Sequence, residues 1–68
     1  MNWIARKQEK TKTGQWEVTK YGQIIDRADI ERGDIGIITT KIYKYQDKYY
    51  VELWDSGCCI HFSEVLDT

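Results

Sequence analysis

The sequence contains no proline, and among its 68 residues it has only one histidine, one methionine and one phenylalanine. Without proline it has no polyproline segment. Its two cysteines, Cys58 and Cys59, are neighbours. Ordinary disulfide geometry does not suit adjacent residues, so we expect no bond between distant strands and a reducing compartment.

Neither positive nor negative charge predominates in the sequence. Ten basic and eleven acidic residues give a net charge of −1, so no overall field attracts the chain to nucleic acid or to an anionic membrane. Arg6 and Lys7 interrupt the only apolar residues near the N-terminus, and no run approaches the ~20 apolar residues of a membrane span. We therefore expect a cytoplasmic protein with no membrane association.

The chain is short for an enzyme. A domain of this size buries only about 60% of its unfolded surface, and a pocket of roughly 300 Å³ would use much of its core. The sequence has no phosphate-binding glycine loop, no evident pair of catalytic carboxylates and no nucleophile motif. We expect a single domain over residues 1–68, without catalytic activity or a cofactor.

The residues present favour strands. Short runs of Ile, Val, Thr, Tyr and Trp are separated by clusters of Gly, Asp and Lys, and no segment has a helical apolar period. The pattern predicts five strands, the first two forming an N-terminal hairpin within residues 1–21: Asn2–Lys7, Gln15–Tyr21, Asp34–Tyr43, Lys48–Trp54 and Cys58–Phe62.

Two further segments are less regular. Residues 26–32 form either a short helix, capped by Asp26 and ended by Gly33, or an extended loop. Ser63 is a capping-type residue, and the segment it begins is expected to fold back as a 3₁₀ turn through Val65 and Leu66.

The segments "ERGDIGIITTKIY", "KYYVELWDSG" and "FSEVL" carry a resemblance. They resemble the SH3-like small β-barrels, including members related to the KOW motif and small uncharacterised bacterial or phage-type proteins, over residues 31–66. The resemblance implies an all-β fold, a five-stranded SH3-like barrel with its core in residues 34–66. It implies no particular function, because such barrels serve many roles.

The stretch "WDSGCCIHF" predicts the register of the last hairpin. A two-residue turn at Ser56 and Gly57 places Asp55 opposite Cys58 and keeps the apolar residues of both strands on one face. A three-residue turn would mix the faces and need a second bulge. In the preferred register Glu52 lies beside His61, Cys58 faces the core, and Cys59 and His61 point outward together.

A metal site is not expected. Cys59 and His61 supply two ligands, whereas zinc needs four, or three and a water. Nothing in the sequence adds an orienting group or an oxyanion hole to make a Cys–His nucleophile.

Nine aromatic residues exceed what so small a core can enclose. Exposed Tyr and Trp are typical interface anchors, although these rings could instead cover the ends of a barrel. We interpret the chain as a protein–protein interaction module, such as a small adaptor or inhibitor of the kind that mobile elements encode. The predicted protein-binding residues are Tyr43, Tyr45, Tyr50, Glu52 and Trp54.

The alternative is a nucleic-acid-binding small barrel. The N-terminal hairpin would supply tryptophans for stacking on bases and basic side chains for phosphates. These residues are Trp3, Trp16, Arg6, Lys7, Lys10, Lys12 and Lys20.

Overall fold

A computed structural model describes residue 3 and residues 5–31 and 33–66. In this part of the chain five antiparallel strands form one sheet, with the order β1-β5-β4-β3-β2. One short helix and one 3₁₀ turn interrupt the strands. The elements are β1 (Gln8–Glu9), α1 (Gln15–Tyr21), β2 (Gln23–Glu31), the 3₁₀ turn (Gly33–Ile35), β3 (Ile37–Tyr45), β4 (Lys48–Asp55) and β5 (Cys58–Val65).

The sheet is open. Strands β2 to β5 follow one another as a meander, and β1 and β2 lie at opposite edges. The prediction of a mainly β fold is therefore confirmed, whereas the SH3-like barrel is not.

The prediction of an N-terminal hairpin is wrong. Among the described residues of the first predicted strand, Trp3 and Ala5–Lys7 are not in a strand; Asn2 and Ile4 lie outside the described residues. The second predicted strand is the helix α1, which buries Val18 against the sheet. Alternation of Trp16 and Val18 with polar residues resembles a strand pattern, but the helix is held on the sheet by Val18 and by hydrogen bonds of Gln15 and Glu17.

Glycine permits the tight end of α1. The N–H of Gly22 donates to the carbonyl of Val18 at 2.8 Å. A Cβ at Gly22 would clash with the same carbonyl oxygen, so a larger residue would force the backbone apart.

Two other segments form strands that the sequence did not predict. Residues 23–31 form β2, so of the two alternatives for 26–32 the short helix is wrong, and the extended backbone is a paired strand; Arg32 lies outside the described residues. Ser63–Val65 continue β5 because β1 pairs beside them, with Gln8 opposite Val65. The 3₁₀ turn predicted there is wrong over these residues.

The two C-terminal hairpins agree best with prediction. Strand β4 begins at Lys48 as predicted and extends one residue further, to Asp55. Asp55 lies opposite Cys58, and Ser56 and Gly57 form the turn with φ of 49° and 91°. The two-residue turn with positive φ at Gly57 is confirmed.

The sheet buries residues on both faces. On one, the helix face, Val18 of α1 packs with Tyr43 and Tyr50. On the other, the reverse face, Ile42 packs with Val51 and Val65, and Trp3 adds to this cluster. Burial on both sides makes β4 the central element of the molecule. No helix in the described ranges is long and apolar enough to cross a membrane.

Candidate functional site

A groove opens on the helix face beside α1. Cross-strand pairing aligns Lys41 with Glu52 and Thr39 with Trp54, which places these side chains next to the start of the helix. The groove has a volume of about 400 Å³. Its lining residues are Gln15, Trp16, Thr19, Lys41, Tyr43, Glu52 and Trp54.

Glu52 forms the floor of this groove, and only 1% of the residue is exposed. Two neutral groups donate hydrogen bonds to it: the Tyr43 hydroxyl, at 3.1 Å, and the Gln15 side-chain amide. A buried carboxylate is costly unless it is hydrogen-bonded. Because one donor comes from β3 and the other from α1, Glu52 links the helix to the sheet.

Burial and the Glu52 carboxylate both raise the pKa of Tyr43. Loss of solvent is the larger cause, the negative charge and hydrogen bond of Glu52 add to it, and together they raise the pKa of Tyr43 to about 12. The hydroxyl therefore stays protonated near neutral pH and acts as a hydrogen-bond donor.

Two tryptophan–lysine pairs flank the groove. Lys41 Nζ lies 5.1 Å from the centre of the Trp54 ring, and Lys20 Nζ lies 4.6 Å from that of Trp16. Tyr21 packs edge-on against Trp16, with ring centres 6.0 Å apart. Trp16 is 65% exposed, so its ring is accessible from solvent. The Trp54 indole N–H is buried and has no acceptor in the described part of the chain.

The predicted protein-binding residues separate into three places. Tyr43, Glu52 and Trp54 share the groove. Tyr45 is half-buried further along β3, and its hydroxyl donates to Glu17 of α1; this hydrogen bond, together with desolvation, raises the pKa of Tyr45 to about 12.

The sequence predicted that Tyr50 lies on an exposed surface, but the structure buries it. Only 1% of it is exposed, because Val18 covers it and its ring stacks on Phe62 with centres 5.8 Å apart. Sequence reasoning also omitted four lining residues from the protein-binding set, namely Gln15, Trp16, Thr19 and Lys41. A helical reading of residues 15–21 would have placed Gln15, Trp16 and Thr19 near one another.

The residues of the nucleic-acid alternative are not brought together on one hairpin. Trp3 packs on the reverse face, where its ring contacts Tyr49. The Arg6 guanidinium carbon lies 4.8 Å from the centre of the Trp3 ring. Trp16 and Lys20 belong to α1 on the helix face. Lys7, Lys10 and Lys12 are exposed in the segments before α1.

A bulge in β5 changes the predicted register. Cys59 pairs with Trp54, but His61 pairs with Leu53, so Ile60 is the extra residue. Cys59 therefore lies on the helix face, where its sulfur accepts a hydrogen bond from Gln15 at 3.0 Å, and His61 lies on the reverse face.

Three expectations for this hairpin are wrong, the first two because of the bulge. Cys59 and His61 do not point the same way, and Glu52 lies opposite Phe62 rather than His61. Cys58 is exposed rather than on the core side.

On the reverse face Ser63 and His61 form a cluster that superficially resembles a nucleophile and its base. Ser63 Oγ donates to Gln8 Oε1, and His61 Nε2 lies 2.9 Å from Ser63 Oγ and 3.1 Å from the same Gln8 oxygen. Gln8 Oε1 is an acceptor, and the side chains of Gln8, His61 and Ser63 are all within hydrogen-bond distance of one another. The cluster fastens β1 to β5.

No three His, Cys, Asp or Glu side chains in the described ranges come together as a metal site. Comparison of the chain with protein-family models, with curated proteins and with solved structures found no match.

Proposed function

We propose that the chain is a non-catalytic protein-binding module and that the groove beside α1 receives a side chain of the partner. The observation that supports this most is the buried Glu52 carboxylate at the floor of a groove with a tryptophan on either side. The partner side chain contacts Trp16 and Trp54 and lies over the polar floor.

The composition of the groove supports a protein partner. Trp, Tyr and Arg dominate the binding energy of protein interfaces, especially where they surround a pocket that excludes water. Two tryptophans and a tyrosine line this groove. Lys20 and Lys41 have flexible stems, so both can move aside when a partner side chain covers the rings.

The floor is held in place before any partner arrives. Tyr43 and Gln15 orient the Glu52 carboxylate from two different elements. A site whose polar groups are already oriented loses less conformational entropy on binding, which favours affinity.

Photo-crosslinking in the host cell tests this proposal. A photoreactive amino acid at position 16 should yield a specific protein adduct, and Trp54→Ala in the same chain should remove it. The matched control carries the photoreactive residue at Ile60, which is 58% exposed but does not line the groove. The same adduct from positions 16 and 60, or its persistence after Trp54→Ala in a folded chain, would contradict the proposal.

Single-stranded nucleic acid is the second candidate, because Lys20 and Lys41 each lie over a tryptophan ring beside one groove. Stacking on aromatic rings with nearby cations is how many proteins bind single strands. Tryptophan fluorescence during titration with single-stranded and duplex oligonucleotides distinguishes the two candidates. Binding that weakens steeply with salt supports the nucleic acid, and absence of binding at low salt eliminates it.

A further inference from the structure

Strand β2 is an exposed edge of the sheet. All nine of its residues are exposed, and in the described part of the chain it pairs only with β3. Its apolar side chains include Ile24 and Ile30, which are 48% and 52% exposed. An edge strand presents unpaired N–H and C=O groups that can bind another strand.

We propose that β2 pairs antiparallel with β2 of a second copy of this chain, about a twofold axis. This surface is separate from the groove beside α1, and the inference does not depend on the proposed function. Opposed residues in an antiparallel pair point to the same face, and a twofold axis perpendicular to the sheet keeps each residue on its own face. The axis must therefore pass midway between one residue and the same residue of the second copy, which lie opposite each other.

Charge and the length of the pairing together select the position of that axis near the middle of β2. Centring it on Arg27 opposes two arginines, and centring it on Asp29 opposes two aspartates. Centring it on Ile30 places Asp29 opposite Glu31. With the axis at Ala28, the smallest side chain of the strand lies against its copy, and Arg27 lies opposite Asp29 on both sides. Opposite charges directly across a strand pair are favourable and like charges are not.

The same residues already interact within one chain. Arg27 Nε lies 3.5 Å from Asp29 Oδ1, with both side chains at least half exposed, so this ion pair can be exchanged for one between copies. Asp26 Oδ1 accepts a hydrogen bond from the Arg27 N–H at 2.8 Å, which competes with an incoming strand. The dimer is therefore reversible and depends on concentration.

Sedimentation equilibrium over a dilution series tests this pairing through a charge exchange. Arg27→Asp opposes two acidic residues and Asp29→Arg opposes two basic ones, so each should raise the dimer dissociation constant about tenfold or more, equivalent to about 1.4 kcal/mol. The double variant Arg27→Asp/Asp29→Arg restores opposite charges and should return the constant to within about threefold of the original. Circular dichroism checks that each variant is folded.

The control is Lys7→Asp, which changes the net charge by the same amount at an exposed residue outside β2. It should leave the dimer unchanged. A wild-type chain that stays monomeric at millimolar concentration would overturn the proposal. So would a folded double variant that dimerises no better than the single ones, or a Lys7→Asp effect as large as that of Arg27→Asp.

Discussion

Strands β4 and β2 belong to the same sheet but have opposite environments. In the middle of β4, Tyr50, Val51 and Glu52 are successive residues of which 1% or less is exposed. In β2 every residue is exposed. The centre is covered by α1 on one face and carries the cluster of Ile42, Val51 and Val65 with Trp3 on the other, whereas neither core cluster includes a residue of β2.

This difference shows where most of the stability arises. Burial of apolar surface contributes on the order of 25 cal/mol per Å², so β4 and its neighbours supply most of the stabilising free energy. The edge strand β2 contributes little to the core. The two surfaces that we propose for binding are the groove beside α1, where Trp16 is exposed, and the free edge of β2.

Removal of a central side chain should have the largest effect. Tyr50→Ala leaves a cavity beneath Val18 and beside Phe62, and should lower the free energy of unfolding by about 3–5 kcal/mol. Ile30→Ala, the matched edge substitution, should change it by less than about 0.5 kcal/mol. Urea unfolding measures both, and equal losses would contradict the division between centre and edge.

Glu52→Ala should have an intermediate effect. It leaves the Tyr43 hydroxyl and the Gln15 amide without their acceptor and should cost about 1–3 kcal/mol. Glu52→Gln retains an acceptor oxygen and should cost less. Asp29→Ala removes an exposed carboxylate and should cost least. If Glu52→Ala were as stable as Asp29→Ala in urea, the carboxylate would not link α1 to the sheet.

The remaining prediction concerns the dependence of stability on pH. Because folding raises the pKa of Tyr43 from 10.0 to about 12, its contribution to stability is complete below pH 10 and is lost as pH rises toward 12. The difference in urea midpoint between the natural chain and Tyr43→Phe should therefore narrow from pH 9 to pH 11.5. A constant difference over this range would contradict the assigned environment of the hydroxyl.

The sequence predicted the centre of the fold well. Alternation in Lys48–Trp54 and the Ser56–Gly57 turn are strong local signals, and both agree with the structure. In the groove, Tyr43, Glu52 and Trp54 could be selected because alternate residues of neighbouring strands share a face.

The sequence of the edge strand β2 contains no comparable signal of secondary structure. Residues of β2 bury neither face, so nothing imposes a period of two on the sequence, and its aspartates looked like helix caps. The bulge at Ile60 also has no local marker, yet it moves His61 to the opposite face from Cys59.

The helix α1 was missed for a related reason. Seven residues with one buried side chain, Val18, are too few to show a helical period, and β-branched Val18 and Thr19 favour a strand reading. Without α1, Tyr50 seemed exposed and Trp16 could not be placed in the groove.

Amide hydrogen exchange tests the division between centre and edge most directly. At low protein concentration the amides of Tyr50, Val51 and Glu52 should exchange only through global unfolding, whereas those of β2 should exchange faster through local opening. Protection in β2 should rise with concentration as the second copy pairs with it. Protection of β2 equal to that of β4 in the dilute monomer would contradict the account.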